Sequence, residues 1–324
     1  MKMLTYERVG IEDEDAIEVF VKENIRKIAS QFYYNPLISE KAIIRHKLKE
    51  VREKLQSGAG FCSRNKSTLK ALGIINHSKW DSEILGKRVG KLTLYLLSLR
   101  NETKPFLQKS YLEAKKMKVD VLFTRINMEQ RDALQAMLAE GAILSDVLLT
   151  FYKNFYKEEL LQKASLLDKS DIIFEEGKTA REAELRKITA SAYKHSHYFN
   201  DPKIPLEKAE AIYQEWISNS LAGFADYVII ARLHEEIVGY ITLRIKNLDE
   251  KAVGIIDLIA VKENYRGRGI GKMLVIEGIK KICNKIDTLY VSTQISNIPA
   301  LRLYEGLGFK GILSEATLHI WLRA

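Results

Sequence analysis

Apolar and polar positions alternate with a strand-like period along several stretches of the C-terminal half and with a helical period along others. Helices are predicted over 180–193, 207–221, 272–283 and 299–307, and the third has its apolar residues on one face. Strands are predicted at DIIFEE, DYVIIARL, EIVGYITLRI, GIIDLIAV, TLYVST and ATLHIWL, with a hairpin turn at His234-Glu-Glu. Helices interspersed among strands in this way indicate a mixed α/β domain.

The chain also repeats itself. It reads DVLFTRINMEQRDALQAMLAEGA from Asp120 and DTLYVSTQISNIPALRLYEGLGF from Asp287, a gapless offset of 287 − 120 = 167 residues. After a two-residue shift, Ile143-Leu-Ser continues against Ile312-Leu-Ser. Earlier segments match in the same order, such as SQFYYNPLISEKA and SHYFNDPKIPLEKA. The repeat predicts a duplicated domain.

The predicted fold class is therefore α/β, with two tandem domains that each contain a central mixed sheet flanked by helices. The first domain is predicted over 1–160 and the second over 172–324. The charged segment 161–171 is interpreted as the linker between them.

Composition is typical of a globular protein. Of the 324 residues, 46% are apolar, and no apolar run reaches the ~18–20 residues that a membrane span needs. The N-terminal stretch MKMLTYERVGIEDEDAIEVF lacks the basic start and apolar core of a signal peptide. Cys62 and Cys283 have no CxxC spacing and no histidine neighbours. We therefore expect a cytoplasmic protein without a membrane span and without a metal.

A net charge of +9 brings nucleic acid into consideration as a partner. The 51 Lys and Arg residues are, however, interleaved with 42 Asp and Glu residues along helix-like stretches such as IIRHKLKEVREKLQ. That pattern is typical of a solvated helix face with i,i+4 pairs. We expect no nucleic-acid partner, and a mild positive field suits small phosphorylated ligands.

The segment NYRGRGIGK, from Asn264 to Lys272, places three glycines and three cations between an apolar strand and a helix. A P-loop needs Ser or Thr after its Gly-Lys pair, whereas Met273 follows here. The glycine spacing does not match a Rossmann fingerprint either, and the loop lies late in its domain. A plain turn remains an alternative. Alternate glycines before a helix favour a backbone cradle for pyrophosphate.

These residues resemble the GNAT (GCN-five-related) family of acyl-CoA-dependent N-acetyltransferases. The loop fits the R/Q-x-x-G-x-G/A motif of that family, and Asn297-Ile-Pro-Ala300 with Tyr304-Glu-Gly-Leu-Gly-Phe309 matches its second signature. The resemblance implies acetyl-CoA as co-substrate. The cofactor-binding residues that it implies are Ile259, Ala260, Val261, Arg266, Gly267, Arg268, Gly269, Ile270, Gly271, Lys272, Asn297 and Tyr304.

In this family the amine attacks the thioester directly, so the departing thiolate must gain a proton. Tyr304 is implied as the general acid, because a tyrosine with a pKa near about 10 stays protonated where a thiol, near about 8.5, begins to ionise. Its alternative interpretation is a core aromatic. For the general base, Asp257 or His197 is the candidate, with His195 a further one. The acceptor-binding residues are predicted to be His195, His197, Tyr198 and Asp201, although a packed aromatic loop is an equal alternative.

The first half lacks the glycine loop, and the gapless offset places Met137 opposite Tyr304 and Gln130 opposite Asn297. One catalytic site per chain is therefore expected, in the C-terminal half. The segments TQISNIPALRLYEGLGF, ATLHIWLR and YQEWISNSLAG further resemble the acetyltransferases of dTDP-fucosamine (dTDP-4-amino-4,6-dideoxygalactose).

This resemblance implies N-acetylation of an amino sugar on a nucleotide carrier. The alternatives are an acetyltransferase for protein N-termini, lysines, polyamines or an aminoglycoside, and a non-catalytic acyl-CoA sensor. The expected partner is a small-molecule amine. The oligomeric state is left open, with a homodimer among the options.

Overall fold

The computed structural model describes residues 5–28, 31–96, 103–155, 171–177, 181–249 and 251–323, which form two compact units. The described residues up to Leu148, together with those from Leu313 onward, form the N-terminal unit. Residues Leu149–Ile312 form the C-terminal unit. Both units contain a mixed sheet with helices, which confirms the predicted α/β class.

In the N-terminal unit the strand order is β1-β2-β3-β4-β5-β12. The strands are β1 Thr5–Val9, β2 Gly58–Asn65, β3 Thr68–His77, β4 Val89–Leu96, β5 Val121–Asn127 and β12 Lys310–Trp321, the last from Leu313 onward. The helices are α1 Glu14–Ile28, α2 Glu40–Ser57, α3 Lys79–Leu85, α4 Thr103–Lys116 and α5 Arg131–Ala139. The core includes Phe61, Phe106, Leu122 and Leu318. Apolar residues at helical spacing on α1 bury one face of that helix.

In the C-terminal unit the strand order is β6-β11-β10-β9-β8-β7. The strands are β6 Ile143–Asn154 (its part from Leu149 onward), β7 Ile172–Glu176, β8 Tyr227–Leu233, β9 Glu236–Leu248, β10 Lys251–Val261 and β11 Thr288–Gln294. The helices are α6 Glu182–Ala190, α7 His197–Asn200, α8 Leu206–Asn219, α9 Ile270–Ile282 and α10 Ile298–Gly306. The core includes Phe151, Ile241, Leu274 and Val291.

Two predicted helices end earlier in the structure than the apolar pattern indicated. The helix predicted over 180–193 ends at Ala190, because the N–H groups of Ala192 and Ser196 donate to turn carbonyls at 3.1 and 3.0 Å. The helix predicted over 207–221 ends at Asn219 and continues as a π-helical turn, Ser220–Phe224. Gly223 in that turn has a φ of 107°, which ends regular helix geometry.

The internal repeat is visible in the element bounds. β5 and β11 begin at Val121 and Thr288, an offset of 288 − 121 = 167 residues, and α5 and α10 keep the same offset at both ends. β6 and β12 also keep it, with Ile143 opposite Lys310. The two-residue shift inferred from the ILS segments is therefore wrong, because the turns before the two strands have equal lengths.

The compact units differ from the predicted domains at their last strands. β12 was assigned to the second domain, yet it pairs with β5, with Glu315–Trp321 opposite Val121–Asn127. β6 from Leu149 onward belongs to the C-terminal unit. Sequence similarity could not reveal this exchange, because the two strands are equivalent copies and either could complete either sheet. Of the predicted linker, residues 161–170 lie outside the described residues.

Candidate active site

Strands β10 and β11 separate at the centre of the C-terminal unit. Their parallel pairing covers only Val253–Ile256 with Thr288–Val291, whereas the antiparallel pairing of β10 with β9 continues to Val261. The register with β9 shifts between Ile256 and Leu258, and the displaced N–H of Leu258 donates to Thr242 Oγ1 at 3.0 Å. This bulge bends β10 at the point where β11 leaves it.

Beyond the bulge, the β10 backbone alternates between β9 and the opening beside β11. The N–H of Lys262 donates to the carbonyl of Val238 at 2.8 Å, so Lys262 and Ala260 are on the β9 side of the ladder. The backbone groups of Ile259 and Val261 therefore face the opening. An extended ligand can add to this edge as a strand would.

The glycine loop follows β10 and begins α9. Gly267 and Gly269 have φ angles of 77° and 79°, the left-handed region that favours glycine. A Cβ at either position would meet no atom within 4 Å, so conformation and not space requires glycine there. The first helical hydrogen bond runs from the N–H of Met273 to the carbonyl of Gly269 at 3.0 Å. The exposed loop and helix start can direct N–H groups at an anion.

Contacts with the β8–β9 hairpin hold this loop in place. The Tyr265 hydroxyl donates to Glu236 Oε2 at 2.6 Å, and Lys262 forms an ion pair with the same carboxylate. Hydrogen bonds from Lys262 and Tyr265 lower the pKa of Glu236. The Arg268 guanidinium lies 5.2 Å from the Tyr265 ring centroid, a cation–π contact. The Arg266 Nε donates to the Val261 carbonyl at 3.0 Å.

Tyr304 lies on α10, which follows β11. Its side chain is 2% exposed and packs against the rings of Phe151 and Phe309, with centroids 6.0 and 5.7 Å away. Burial raises the pKa of Tyr304, because the phenolate would lose its hydration. Asn297 caps α10, and its Oδ1 accepts the N–H of Ala300 at 3.3 Å. The Asn297 side-chain NH₂ group makes no part of that cap.

The predicted acceptor residues differ in their burial and in their contacts. His195 lies beside the start of α10, with its Nδ1 3.3 Å from Ser296 Oγ. His197 is 8% exposed, with its ring 3.9 Å from that of Tyr198. Asp201 is 1% exposed and accepts the N–H of Lys203 at 2.8 Å, closing a turn. The contacts of Tyr198 and Asp201 are those expected of the packed loop that was the alternative interpretation of this segment.

The carboxylate of Asp257 is held by an arginine. Arg244 Nη2 donates to Asp257 Oδ1 at 2.6 Å, and its Nε donates to Oδ2. The Arg244 guanidinium lies 4.5 Å from the Phe224 ring centroid. Both carboxylate oxygens of Asp257 therefore already accept guanidinium N–H groups. This pairing argues against Asp257 as the general base.

The sequence analysis missed a set of three hydroxyl groups in the C-terminal unit. The Tyr193 and Tyr240 hydroxyls lie 3.2 Å apart, and the Tyr240 hydroxyl lies 2.7 Å from Thr189 Oγ1. Tyr240 and Thr242 are on the same face of β9, inside an apolar run. Two hydroxyl side chains at alternate positions of an otherwise buried strand are the signal that could have identified this network.

Among the described helices, none is both long and apolar enough to cross a membrane. The described residues also contain no group of three or more His, Cys, Asp or Glu side chains placed to bind a metal ion.

The chain is similar to several known proteins. A model of the acetyltransferase (GNAT) family matches residues 185–309. The chain is 27% identical over 261 residues to the spore coat polysaccharide biosynthesis protein SpsD of Bacillus subtilis, covering 79% of this chain and 85% of that protein. It is 29% identical over 150 residues to an N-alpha-acetyltransferase of Sulfurisphaera tokodaii, covering 43% of this chain and 87% of that protein.

Among solved structures, the tandem GNAT protein from the clavulanic acid biosynthesis pathway has the same fold. Its TM-score is 0.61 at 9% identity, and the match covers 99% of both chains. The matched fold therefore includes both units, and the predicted tandem GNAT-like fold is confirmed. Residues 185–309 are similar to the GNAT acetyltransferases, and this similarity supports an acyltransferase enzyme.

Proposed function

We propose that this protein transfers an acetyl group from acetyl-CoA to the primary amine of an amino sugar on a nucleotide carrier. The observation that carries the transferase part is the opening between β10 and β11, with the glycine loop following β10 and Tyr304 on the helix that follows β11. All three features lie in the C-terminal unit. We expect one catalytic site per chain, because the first half has no glycine between Gly90 and Gly141.

The residues present fit acetyl-CoA. The outward backbone groups of Ile259 and Val261 match an extended amide-containing arm such as pantetheine, with Ala260 between them on the β9 side. The amides from Gly267 to Lys272, in a loop that is exposed from Gly267 to Gly269, suit a pyrophosphate, and Arg266, Arg268 and Lys272 add positive charge. Asn297 keeps its NH₂ group as a donor for a pantetheine carbonyl.

Acetyl-CoA supplies a thioester whose carbonyl carbon forms the new bond to nitrogen while its bond to sulfur breaks. Tyr304 donates its proton to the sulfur as thiolate charge develops. The raised pKa of Tyr304 keeps the phenol protonated until that moment. The proton that the amine loses goes to a base. His195 is the stronger candidate for this base, directly or through water, because His197 is buried and Asp257 is paired with Arg244.

The proposal of an amino-sugar acceptor is based on how much of the chain one similarity covers. The match to the polysaccharide biosynthesis protein covers 79% of this chain, more than the GNAT domain alone. The match to the N-alpha-acetyltransferase covers 43%. Acetylation of a protein N-terminus is the second candidate, supported by that shorter match.

The test is a thiol-release assay with acetyl-CoA and a matched set of acceptors. We expect turnover with dTDP-4-amino-4,6-dideoxygalactose and none with its 4-hydroxy analogue, because a hydroxyl is a far weaker nucleophile than a neutral amine. Peptides with a free N-terminus, lysine peptides, polyamines and aminoglycosides form the other arms.

Turnover with peptides and none with the nucleotide sugar would favour the second candidate. Binding of acetyl-CoA without thiol release in any arm would indicate a sensor.

A further inference from the structure

A chain of three hydroxyl groups lies in the C-terminal unit, on α6, β9 and the segment after α6. Thr189 Oγ1 donates to the carbonyl of Leu185 at 2.6 Å and lies 2.7 Å from the Tyr240 hydroxyl. The Tyr240 hydroxyl lies 3.2 Å from that of Tyr193. Tyr240 is fully buried, whereas Tyr193 is partly exposed. The chain therefore connects Tyr240, in the protein interior, to Tyr193, whose side chain is partly exposed.

The direction of each hydrogen bond follows from counting protons. A carbonyl only accepts, so the single proton of the Thr189 hydroxyl is committed to Leu185. Thr189 must then accept from Tyr240, whose own proton is committed in turn. Tyr240 must accept from Tyr193. The Tyr193 proton thus points inward, and its oxygen has no donor among the described residues.

Tyr193 lies where an acceptor amine would arrive. His195, two residues later, contacts Ser296 at the start of α10, the helix that carries Tyr304. The Tyr193 hydroxyl lies 3.2 Å from that of Tyr240, which pairs with Ala260 of β10, the strand that borders the opening. The Tyr193 ring stacks on Tyr213 with centroids 4.3 Å apart and planes 7° apart, which fixes the direction of the hydroxyl.

We propose that Tyr193 is an acceptor-positioning residue, whose hydroxyl oxygen accepts one N–H of the primary amine and so selects a nitrogen that carries hydrogen. This inference rests on the proposed function. Tyr193 takes no proton from the amine, since burial raises the pKa of its phenol and keeps it neutral. Tyr240 and Thr189 act through Tyr193 by holding its proton inward.

The experiment compares steady-state kinetics of the full chain, with dTDP-4-amino-4,6-dideoxygalactose and acetyl-CoA varied in turn. In Tyr193→Phe the ring stays and the oxygen is lost. We expect the amine KM to rise about 5- to 100-fold, the range for losing one partly buried hydrogen bond. The KM for acetyl-CoA should stay within twofold.

Valine has about the size of threonine but no hydroxyl. Thr189→Val should raise the amine KM by a smaller factor, because the hydroxyl protons of Tyr240 and Tyr193 are then no longer held in one direction. Tyr227→Phe is the matched control, since its hydroxyl contacts Lys285 and lies outside the hydroxyl chain. Its kinetics should equal those of the wild type. If melting curves show that Tyr193→Phe does not fold, Thr189→Val carries the test.

An unchanged amine KM in both Tyr193→Phe and Thr189→Val, with an active wild type and an impaired Tyr304→Phe, would overturn the positioning role alone. A change confined to the KM for acetyl-CoA would overturn it too. A wild type that releases no thiol with this acceptor would instead overturn the amino-sugar function and, with it, this inference.

Discussion

The proposed general-acid role of Tyr304 leads to the first prediction at the scale of single residues. In Tyr304→Phe the ring that packs against Phe151 and Phe309 is kept, and only the proton donor is lost. We expect turnover to fall about 100-fold or more, the usual range for general acid catalysis, with little change in acetyl-CoA affinity. Thiol release and calorimetric binding of acetyl-CoA measure the two quantities. A loss of affinity at unchanged turnover would contradict the acid role.

Asp257 leads to a different prediction, because its partner is an arginine that is only 23% exposed. Asp257→Asn removes the charge from a bidentate pair and leaves Arg244 without its counter-ion. We expect a free energy of unfolding lower by about 1–3 kcal/mol and turnover within a few-fold of the wild type. Urea unfolding and thiol release check both. A 100-fold loss of turnover at unchanged stability would restore Asp257 as the base.

For single residues, sequence motifs identified candidate functional side chains but did not predict the residues that these side chains contact. Tyr304 was identified from its motif, and the structure places it on the helix that the motif implied. The partner of Asp257, Arg244, lies on the neighbouring strand, and no local pattern links the two. Asp201 has an acidic side chain suited to binding an amine, yet it closes a turn.

At the scale of elements, the proposed pyrophosphate site at the start of α9 depends both on the backbone conformation of Gly269 and on the local charge. Two substitutions of Gly269 distinguish these two contributions. Gly269→Asn and Gly269→Asp have nearly equal size, and both residues tolerate a φ near the observed 79° better than other side chains do. The aspartate adds a negative charge where a pyrophosphate is expected. We expect acetyl-CoA affinity to fall at least tenfold further in Gly269→Asp than in Gly269→Asn.

Calorimetric titration with acetyl-CoA at two salt concentrations measures that difference. The difference in acetyl-CoA affinity between the two variants should become smaller at high salt, since salt screens the added charge at an exposed site. Equal affinities of the two variants would contradict the pyrophosphate assignment.

Most elements of the C-terminal half were predictable because their apolar periodicity and end signals agree. Pro299 in the first turn of α10 and the glycines before α9 mark helix starts directly. The separation of β10 from β11 was not predictable from periodicity, since an apolar run does not show where two paired strands part. It depends on the bulge at Asp257, which is set by pairing with β9.

At the scale of the whole molecule, β12 contributes to the N-terminal unit although it ends the second repeat. Deleting residues 313–324 removes Leu318 and Ile320 from the N-terminal core. Each buried side chain contributes about 1.5–3 kcal/mol, a large part of the ~5–15 kcal/mol that stabilises a typical domain.

We expect this deletion to abolish cooperative unfolding of the N-terminal unit, as measured by hydrogen exchange of β4 and β5. A chain ending at Leu322 keeps every paired residue of β12 and is the control. Protection of β5 that survives the longer deletion would show that the unit does not depend on β12.

The exchange of β6 and β12 also sets the order of events during synthesis on the ribosome. β5 emerges early, but its pairing partner β12 emerges only after the residues of the C-terminal unit have been translated. For that interval the β5 edge is open, and open strand edges invite aggregation. The N-terminal unit therefore receives β12 only after the C-terminal unit has been translated, and a gene split between the repeats would separate β5 from the strand with which it pairs in the full chain.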